Sequence, residues 1–399
     1  MDLISMPDRD FIVEVARRII RIPAISPASG GEGEKDRADE IEKILRELGY
    51  NDYQRYDMKD EYGKIRSNIV IRAGKGEKVL WLVAHIDTVP VGDPALWTKP
   101  PFDVTVEGDR MYGRGTEDDG QAVFTALLIL RDIKKNGLKQ KMQFGVAFVA
   151  DEEMGSKYGI QYLLEKDIFR KSDLIIVPDA GSEDGMTIEI AEKSILWIRF
   201  SVKGKQWHAS MPVNAINAFR EGSKFMIDLD RRLHEKFTVK DDLYNVPYST
   251  FEPTKHEKNV DNVNTIPGTD TFYFDCRVLP QYSLDDVLKT VDEAISDFQA
   301  HSQARISYDL VQKEQAPKKT PEDSEVVVRL MESIKKKRGK TPKAIGIGGG
   351  TCAAFFRRLD IPAVVWFTTI EENAHRPDEF CLISHILMDR DVLEDVLVS

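Results

Sequence analysis

Basic residues are in deficit, cysteine is scarce and long apolar runs are missing, and each shortage removes a class of function. Lys and Arg total 56 against 67 Asp and Glu, a net charge of -11, so the chain lacks the basic face that a nucleic-acid-binding protein needs. The three cysteines, Cys276, Cys352 and Cys381, are far apart and form no Cys-x-x-Cys pair, which argues against a disulfide scaffold and a structural zinc ribbon. No uninterrupted apolar stretch approaches the ~18 residues of a membrane span. The opening Met-Asp-Leu-Ile-Ser-Met-Pro-Asp has no basic flank leading into an apolar core, so a cytoplasmic protein with no membrane partner is expected. What remains is a globular composition, 42% hydrophobic and 31% charged, over 399 residues, a length that favours two domains.

Apolar residues recur at helical spacing over 11–21 and 36–48, the second stretch stopping at Gly49. From 67 to 179, short β-branched or aromatic runs alternate with helical stretches at 122–136 and 160–165, the pattern of a sheet with helices on its faces. The texture then changes. Strand 194–202, helix 214–237, strands 249–256 and 264–278, helix 284–301 and strand 305–311 give a β-α-β-β-α-β order, the split arrangement of a ferredoxin-like domain. Afterwards α/β texture returns, with helix 325–337, the glycine run from Gly346 to Gly350 and apolar strand 361–367. The expected fold is α/β, a domain with a central mixed sheet made of 1–192 and 314–399, interrupted by an inserted ferredoxin-like α+β domain at 193–313.

Five apolar segments of the first domain each end in a metal-binding type of residue. Residues 79–84 run into His85-Ile86-Asp87, the segment from Met111 leads to Asp118-Asp119, and 144–150 run into Asp151-Glu152-Glu153. Residues 174–177 end at Pro178-Asp179, and 361–367 are followed by Ala374-His375. Acids and imidazoles at the ends of buried strands point to a metal site. His85 and Asp87, two apart on a strand, leave the same face, so His85 can ligate while Asp87 takes its second ring N–H. A structural His with an Asp capping the next loop fits equally. Asp118-Asp119 precedes a helix and also suits an N-cap with first-turn charge. Glu152-Glu153 alone would be a solvated loop, but directly after a buried strand such a pair can divide metal binding from proton transfer. If Asp118, Glu152, Glu153 and Asp179 share one pocket, each close pair repels by about 4 kcal/mol at ~4 Å for an effective dielectric near ~20. Two divalent cations balance those four carboxylates, and His85 and His375 add neutral ligands; zinc suits the set, with cobalt or manganese as substitutes.

Read in order, Ala-His-Ile-Asp-Thr-Val-Pro, Gly-Arg-Gly-Thr-Glu-Asp-Asp, Asp-Glu-Glu-Met-Gly-Ser, Pro-Asp-Ala-Gly and Ala-His-Arg-Pro-Asp-Glu resemble the co-catalytic zinc family of peptidases and deacylases. Its members include succinyl-diaminopimelate desuccinylase, acetylornithine deacetylase, glutamate carboxypeptidase and carnosine dipeptidase. The resemblance implies two zinc ions bridged by Asp118, with His85 and Asp179 completing one site and Glu153 and His375 the other. It makes Glu152 the general base, Asp87 its neighbour's orienter, and the Asp118–Asp119 peptide cis. It also implies that the inserted domain is a lid and dimerisation domain, and that His208, in Val-Lys-Gly-Lys-Gln-Trp-His-Ala-Ser-Met-Pro, stabilises the oxyanion of the partner subunit's site with help from Asn264. Arg277 resembles a lid Arg that clamps a substrate carboxylate, although a salt bridge with Asp275 or a neighbour suits it as well. Gly350 and Thr351, in the glycine run before a short helix, can present N–H groups to the same anion; the Lys-Ser/Thr of a nucleotide loop is missing. His234 and His301, towards the ends of lid helices, and His256 and His385, without matching partners nearby, read as surface or packing residues.

Three departures bear on substrate. Asp179 stands where many deacylases of the family have Glu, which favours a free amino end; Gly120-Gln121 replaces the usual Lys-Gly; and Thr351-Cys352-Ala353-Ala354 replaces Thr-Ser-Asp-Ala. The expected activity is hydrolysis of the amide of a small N-acyl amino acid or a short peptide by a homodimer. A dipeptidase or aminopeptidase is the alternative, and a non-catalytic metal-binding protein on the same fold would have to lack the base.

Overall fold

The architecture comes from a computed structural model, which describes residues 2–370 and 372–399. By its internal contacts the chain divides into two compact units, one of residues 1–190, 320–344 and 351–399, the other of 191–319 and 345–350.

A mixed eight-stranded sheet, six of whose strands lie wholly in the first unit, has the order Tyr53–Lys59, Ile65–Ala73, Gln143–Val149, Val79–His85, Leu174–Val177, Ala363–Val365, Thr187–Glu192, Lys343–Ile347. Four adjacent strands, Gln143–Val149, Val79–His85, Leu174–Val177 and Ala363–Val365, run parallel. Val79–His85 is buried throughout, which is why it reads as a continuous apolar run rather than an alternating one. Trp81 lies opposite Gly145 in the ladder, and a Cβ at Gly145 would stand 2.5 Å from the indole; the absent side chain makes room for the ring. The indole N–H donates to Asp173 Oδ2 at 3.0 Å. Helix Gln121–Asn136 is buried from Gln121 to Asp132 and stops at left-handed Gly137. It packs on helices Asp8–Ile20 and Ile383–Val398 and on strand Val79–His85. The helices expected over 36–48, 160–165 and 325–337 form as Lys35–Glu47, Ile160–Leu164 and Glu325–Arg338.

The second unit carries a four-stranded antiparallel sheet in the order Thr250–His256, Thr269–Val278, Ser194–Lys203, Arg305–Glu314. Alternation does the sorting: Phe272, Phe274, Cys276 and Val278 join Leu196, Ile198, Phe200 and Val202 in one core with Phe225 and Leu229 of helix Ala218–Lys236 and Val287 and Val291 of helix Leu284–His301. Strands and helices follow one another in the ferredoxin-like order. The first of these helices starts at Ala218, not near 214, because the Asn217 side chain accepts the Arg220 N–H at 3.0 Å and caps it there. The stretch 264–278 is two strands, Thr265–Ile266 and Thr269–Val278, separated at Pro267-Gly268, since proline has no N–H for a ladder. His256, expected to lack a partner, pairs with Asp270 at 3.0 Å. Among the described residues no helix is long and apolar enough to cross a membrane.

Candidate metal centre

The acids and imidazoles singled out by the sequence in the first unit converge at the carboxyl ends of its four parallel strands. His85 closes Val79–His85. Glu152 and Glu153 lie on the single turn Glu152–Met154 beyond Gln143–Val149, a turn bracketed by left-handed Asp151 and Gly155. Asp179 follows Leu174–Val177, and His375, at φ 63°, sits in the loop after Ala363–Val365. Parallel strands deliver their carboxyl ends to one edge of the sheet, so residues far apart in sequence meet there. Asp118 reaches the same place from the turn Thr116–Gly120, where the Asp118–Asp119 peptide is cis. Neither acid caps the helix that follows. Gly120 precedes it without a side-chain cap, and Asp119 Oδ2 instead accepts the backbone N–H of His85 at 3.1 Å.

The Asp118 carboxylate stands between two imidazoles, with Oδ1 2.8 Å from His85 Nε2 and Oδ2 2.9 Å from His375 Nε2. Asp179 Oδ1 is 3.6 Å from the same nitrogen of His85, and Glu153 Oε1 is 3.1 Å from that of His375. Candidate ligand atoms of His85, Glu152 and Asp179 lie within 4.8 Å of one another, as do those of His85, Asp118 and Glu153. On the far side of the ring, His85 Nδ1 is 3.2 Å from the Asp87 carbonyl and 3.5 Å from its carboxylate. That carboxylate also accepts the N–H groups of Glu152 and Glu153, at 3.0 and 3.1 Å. Asp87 therefore ties one imidazole to the turn that bears both glutamates.

Two supports lie outside the residues predicted. Glu379 Oε1 accepts the N–H groups of Glu117 and Asp118 at 3.0 and 3.2 Å, while Oε2 meets Arg114 Nη1 at 2.5 Å. Its signal was available, because Glu379 ends the same Ala-His-Arg-Pro-Asp-Glu stretch that holds His375. Behind the glutamate turn, buried Arg66 pairs with Glu34 and, at 3.1 Å, with Asp151. Glu34 and Arg66 are single charged residues with no pattern around them to mark the pairing.

Burial pushes the Glu152 carboxyl well above the usual carboxylate range, and the charges of Asp179, Asp87 and Asp118 push it the same way. Burial raises Glu153 as well. Hydrogen bonds to Asp118 and Glu153 raise His375 to about 10. Burial works against a charged His85, yet hydrogen bonds to Asp118, Asp179 and Asp87 hold it well above its ordinary value. Protonated imidazoles thus offset part of the cluster's negative charge, and added cations would replace them. The oxygen and nitrogen donors gathered here, His85 with Glu152 and Asp179 and His85 with Asp118 and Glu153, are of the kinds that suit divalent metals.

The other predicted residues belong elsewhere. In the second unit Arg277 is already committed, with Nε and Nη2 on Asp275 at 2.7 and 3.0 Å and Nη1 on the Gly348 carbonyl at 3.0 Å. The salt bridge, and not an open clamp, describes it. His208 is exposed on the ribbon Trp207–His208, paired with Thr265–Ile266, and its Nδ1 is 2.8 Å from Ser210 Oγ. The Asn264 carbonyl accepts the Ala209 N–H at 2.8 Å. Gly350 closes the 345–350 piece of the second unit. Thr351 belongs to the first, where its Oγ1 accepts the Ala353 N–H at 3.2 Å, so one donor at the start of the short helix Ala353–Arg358 is already occupied.

Comparison with known proteins places this arrangement. Residues 81–399 match the profile described as peptidase family M20/M25/M40. An uncharacterized metallohydrolase of Methanocaldococcus jannaschii is 38% identical over 404 residues, covering 96% of this chain and 98% of that protein. The acetylornithine deacetylase of Photorhabdus laumondii is 27% identical over 392 residues, covering 96% of each. Among solved structures, a dipeptidase from Saccharomyces cerevisiae superposes with a TM-score of 0.73 at 16% identity, covering 99% of this chain and 97% of that one, a likeness of fold.

Proposed function

Since the chain belongs to peptidase family M20/M25/M40, whose enzymes are metal-dependent hydrolases, we propose that it is a two-zinc amidohydrolase acting on a small N-acyl amino acid or a short peptide. The observation that carries this is the Asp118 carboxylate, which lies between the two imidazoles with one oxygen 2.8 Å from His85 and the other 2.9 Å from His375, so that it could serve two cations at once. In this reading His85, Asp118 and Asp179 would hold one ion and His375, Asp118 and Glu153 the other. The ions, when bound, polarise the scissile carbonyl and make water a ready nucleophile. Glu152 accepts the proton of the attacking water and returns it to the departing amine. Asp87 holds the Glu152 backbone and the His85 ring in register. His208 of the partner subunit donates to the oxyanion; its exposed position on a two-stranded ribbon supports that assignment.

The substrate question turns on Asp179. A carboxylate one methylene shorter than Glu favours a substrate with a free amino end, hence a dipeptide, whereas the likeness to acetylornithine deacetylase over 96% of the chain favours an acyl amino acid. Turnover of dipeptides, acetylornithine, acetyllysine and succinyl-diaminopimelate by the cobalt-loaded enzyme separates the two. Glu152→Gln should lower kcat by about 100- to 10,000-fold with metal content unchanged, and chelation should abolish activity that zinc or cobalt restores. Wild-type hydrolysis by Glu152→Gln, or a purified active enzyme without transition metal, would overturn the reading.

A further inference from the structure

His375 is held near Asp118 from both sides along the chain, and the two holds are built differently. Downstream, strand Phe380–Leu382 pairs with Arg110–Tyr112, the Glu379 carbonyl accepts the Gly113 N–H at 2.9 Å, and the Glu379 carboxylate takes the N–H groups of Glu117 and Asp118. Upstream, the contact runs the other way. Glu117 Oε1 accepts the Ile370 N–H at 2.5 Å, and the Ile370 carbonyl accepts the Asn373 N–H at 2.9 Å, two residues short of His375. Each segment thus presents a carboxylate to the backbone of the other. Glu379 holds the turn that bears Asp118, and Glu117, from that turn, holds the chain that leads into His375. All of these residues belong to the first unit.

Filling space does not explain Glu117. It is only 5% exposed, its Oε2 has no hydrogen-bond partner among the described residues, and it feels the charges of Glu379 and Asp118. An apolar side chain would avoid the cost of burying that carboxyl. What the glutamate supplies is an acceptor at the reach of Ile370, whose N–H loses this partner without it. We propose that Glu117 is a positioning residue, which through the Ile370 backbone fixes the His375 imidazole against the Asp118 carboxylate. That pair stands 2.9 Å apart, and metal–ligand distances hold to within about 0.2 Å, so a His375 free to drift would lose its share of an ion. The inference rests on the two-metal reading above and adds to it a residue that acts through another.

The test is cobalt titration of the metal-free, full-length protein, followed by visible absorption, for the wild type, Glu117→Met, Glu117→Gln and His375→Ala. Methionine keeps the bulk and removes the acceptor, whereas glutamine keeps both. Glu117→Met should weaken one of two cobalt equivalents by about 10- to 100-fold and leave the other within about threefold. Glu117→Gln should bind as the wild type does. In the His375→Ala background Glu117→Met should cost nothing further, because two residues that serve one contact are not additive. Equal cobalt binding by wild type and Glu117→Met overturns the proposal, as does an equal loss in Glu117→Gln or full additivity with His375→Ala. Chemical denaturation of the metal-free proteins separates positioning from plain stability: a destabilised Glu117→Met that still binds both ions like the wild type counts against it. Glu117→Ala, which removes the acceptor and adds no bulk, is the second variant under the same criteria should the methionine not be accommodated. A wild type that binds fewer than two equivalents sinks the two-metal reading and this inference with it, whereas two equivalents bound alike by wild type and Glu117→Met sink this inference alone.

Discussion

Asp87 shows how much one carboxylate can hold in place. It is within 3.5 Å of the His85 ring and receives the N–H groups of both Glu152 and Glu153, so its loss should disturb a ligand and the base together. Asp87→Ala is expected to lower kcat by about 10- to 100-fold and to weaken metal binding by a similar factor. Metal titration and steady-state kinetics on the same preparation read both, and a change in kcat alone would mean that the metal ligands do not need the tether. The candidate ligands could be read in the sequence because each closes or follows an apolar run, and a parallel sheet sends such ends to one edge. Asp87's hold on Glu152 could not, because a backbone contact across 65 residues leaves no mark on residue type. Arg277 fell between the two cases. It shares a strand face with Asp275, and the alternation that puts both there also allows a free guanidinium; only the observed 2.7 and 3.0 Å contacts decide.

At the level of elements, strands and helices were readable where burial is one-sided or complete, and their ends where a capping residue was recognised. Asn217 was the missed signal, and its capping bond is worth about 1 kcal/mol, so Asn217→Ala should lower stability by that amount in chemical denaturation. Packing inside the parallel sheet is less forgiving. Gly145→Ala puts a methyl against the Trp81 indole and should cost about 1–3 kcal/mol. The C-terminal helix carries a charge effect with a definite sign. Burial pushes Glu394 up to about 7 even with Arg390 beside it, and its Oε1 is buried without a hydrogen-bond partner among the described residues. The folded protein keeps this proton to about pH 7, whereas the unfolded chain releases it near the ordinary carboxyl value of 4.5. Between those values the folded state binds more protons, so stability falls as pH rises through the window. Glu394→Gln should therefore melt higher than the wild type at pH 8 and converge with it at pH 4; an unchanged difference across that range would refute the assignment.

For the whole molecule, two consequences follow from the proposed function. Metals that bind only the folded chain stabilise it by mass action, so the melting temperature should climb with free zinc and drop on chelation. If His208 of the partner subunit completes each site, mixing Glu152→Ala and His208→Ala proteins should restore part of the activity through hybrids with one intact site. No recovery after demonstrated subunit exchange would remove His208 from the reaction. The chain divides into two compact units, and the periodicity of its sequence changes near residue 193 and changes back. The company kept by residues 345–350 was not readable, since a glycine run has no periodicity to reveal which unit it joins.

Strand Ala363–Val365 enters the sheet between Leu174–Val177 and Thr187–Glu192, although the chain reaches it only after the entire second unit has been made. During synthesis from the N-terminus, the early strands must wait with that slot vacant, and His85, Asp118 and Asp179 exist long before His375. The two candidate metal positions therefore become available in sequence. One set of side chains is made early, on a sheet still missing a strand; the other is finished only by the last segment to emerge. The side chain of His375 is thus the last of the candidate ligands to exist, and a cluster that contains it marks a chain made to its end.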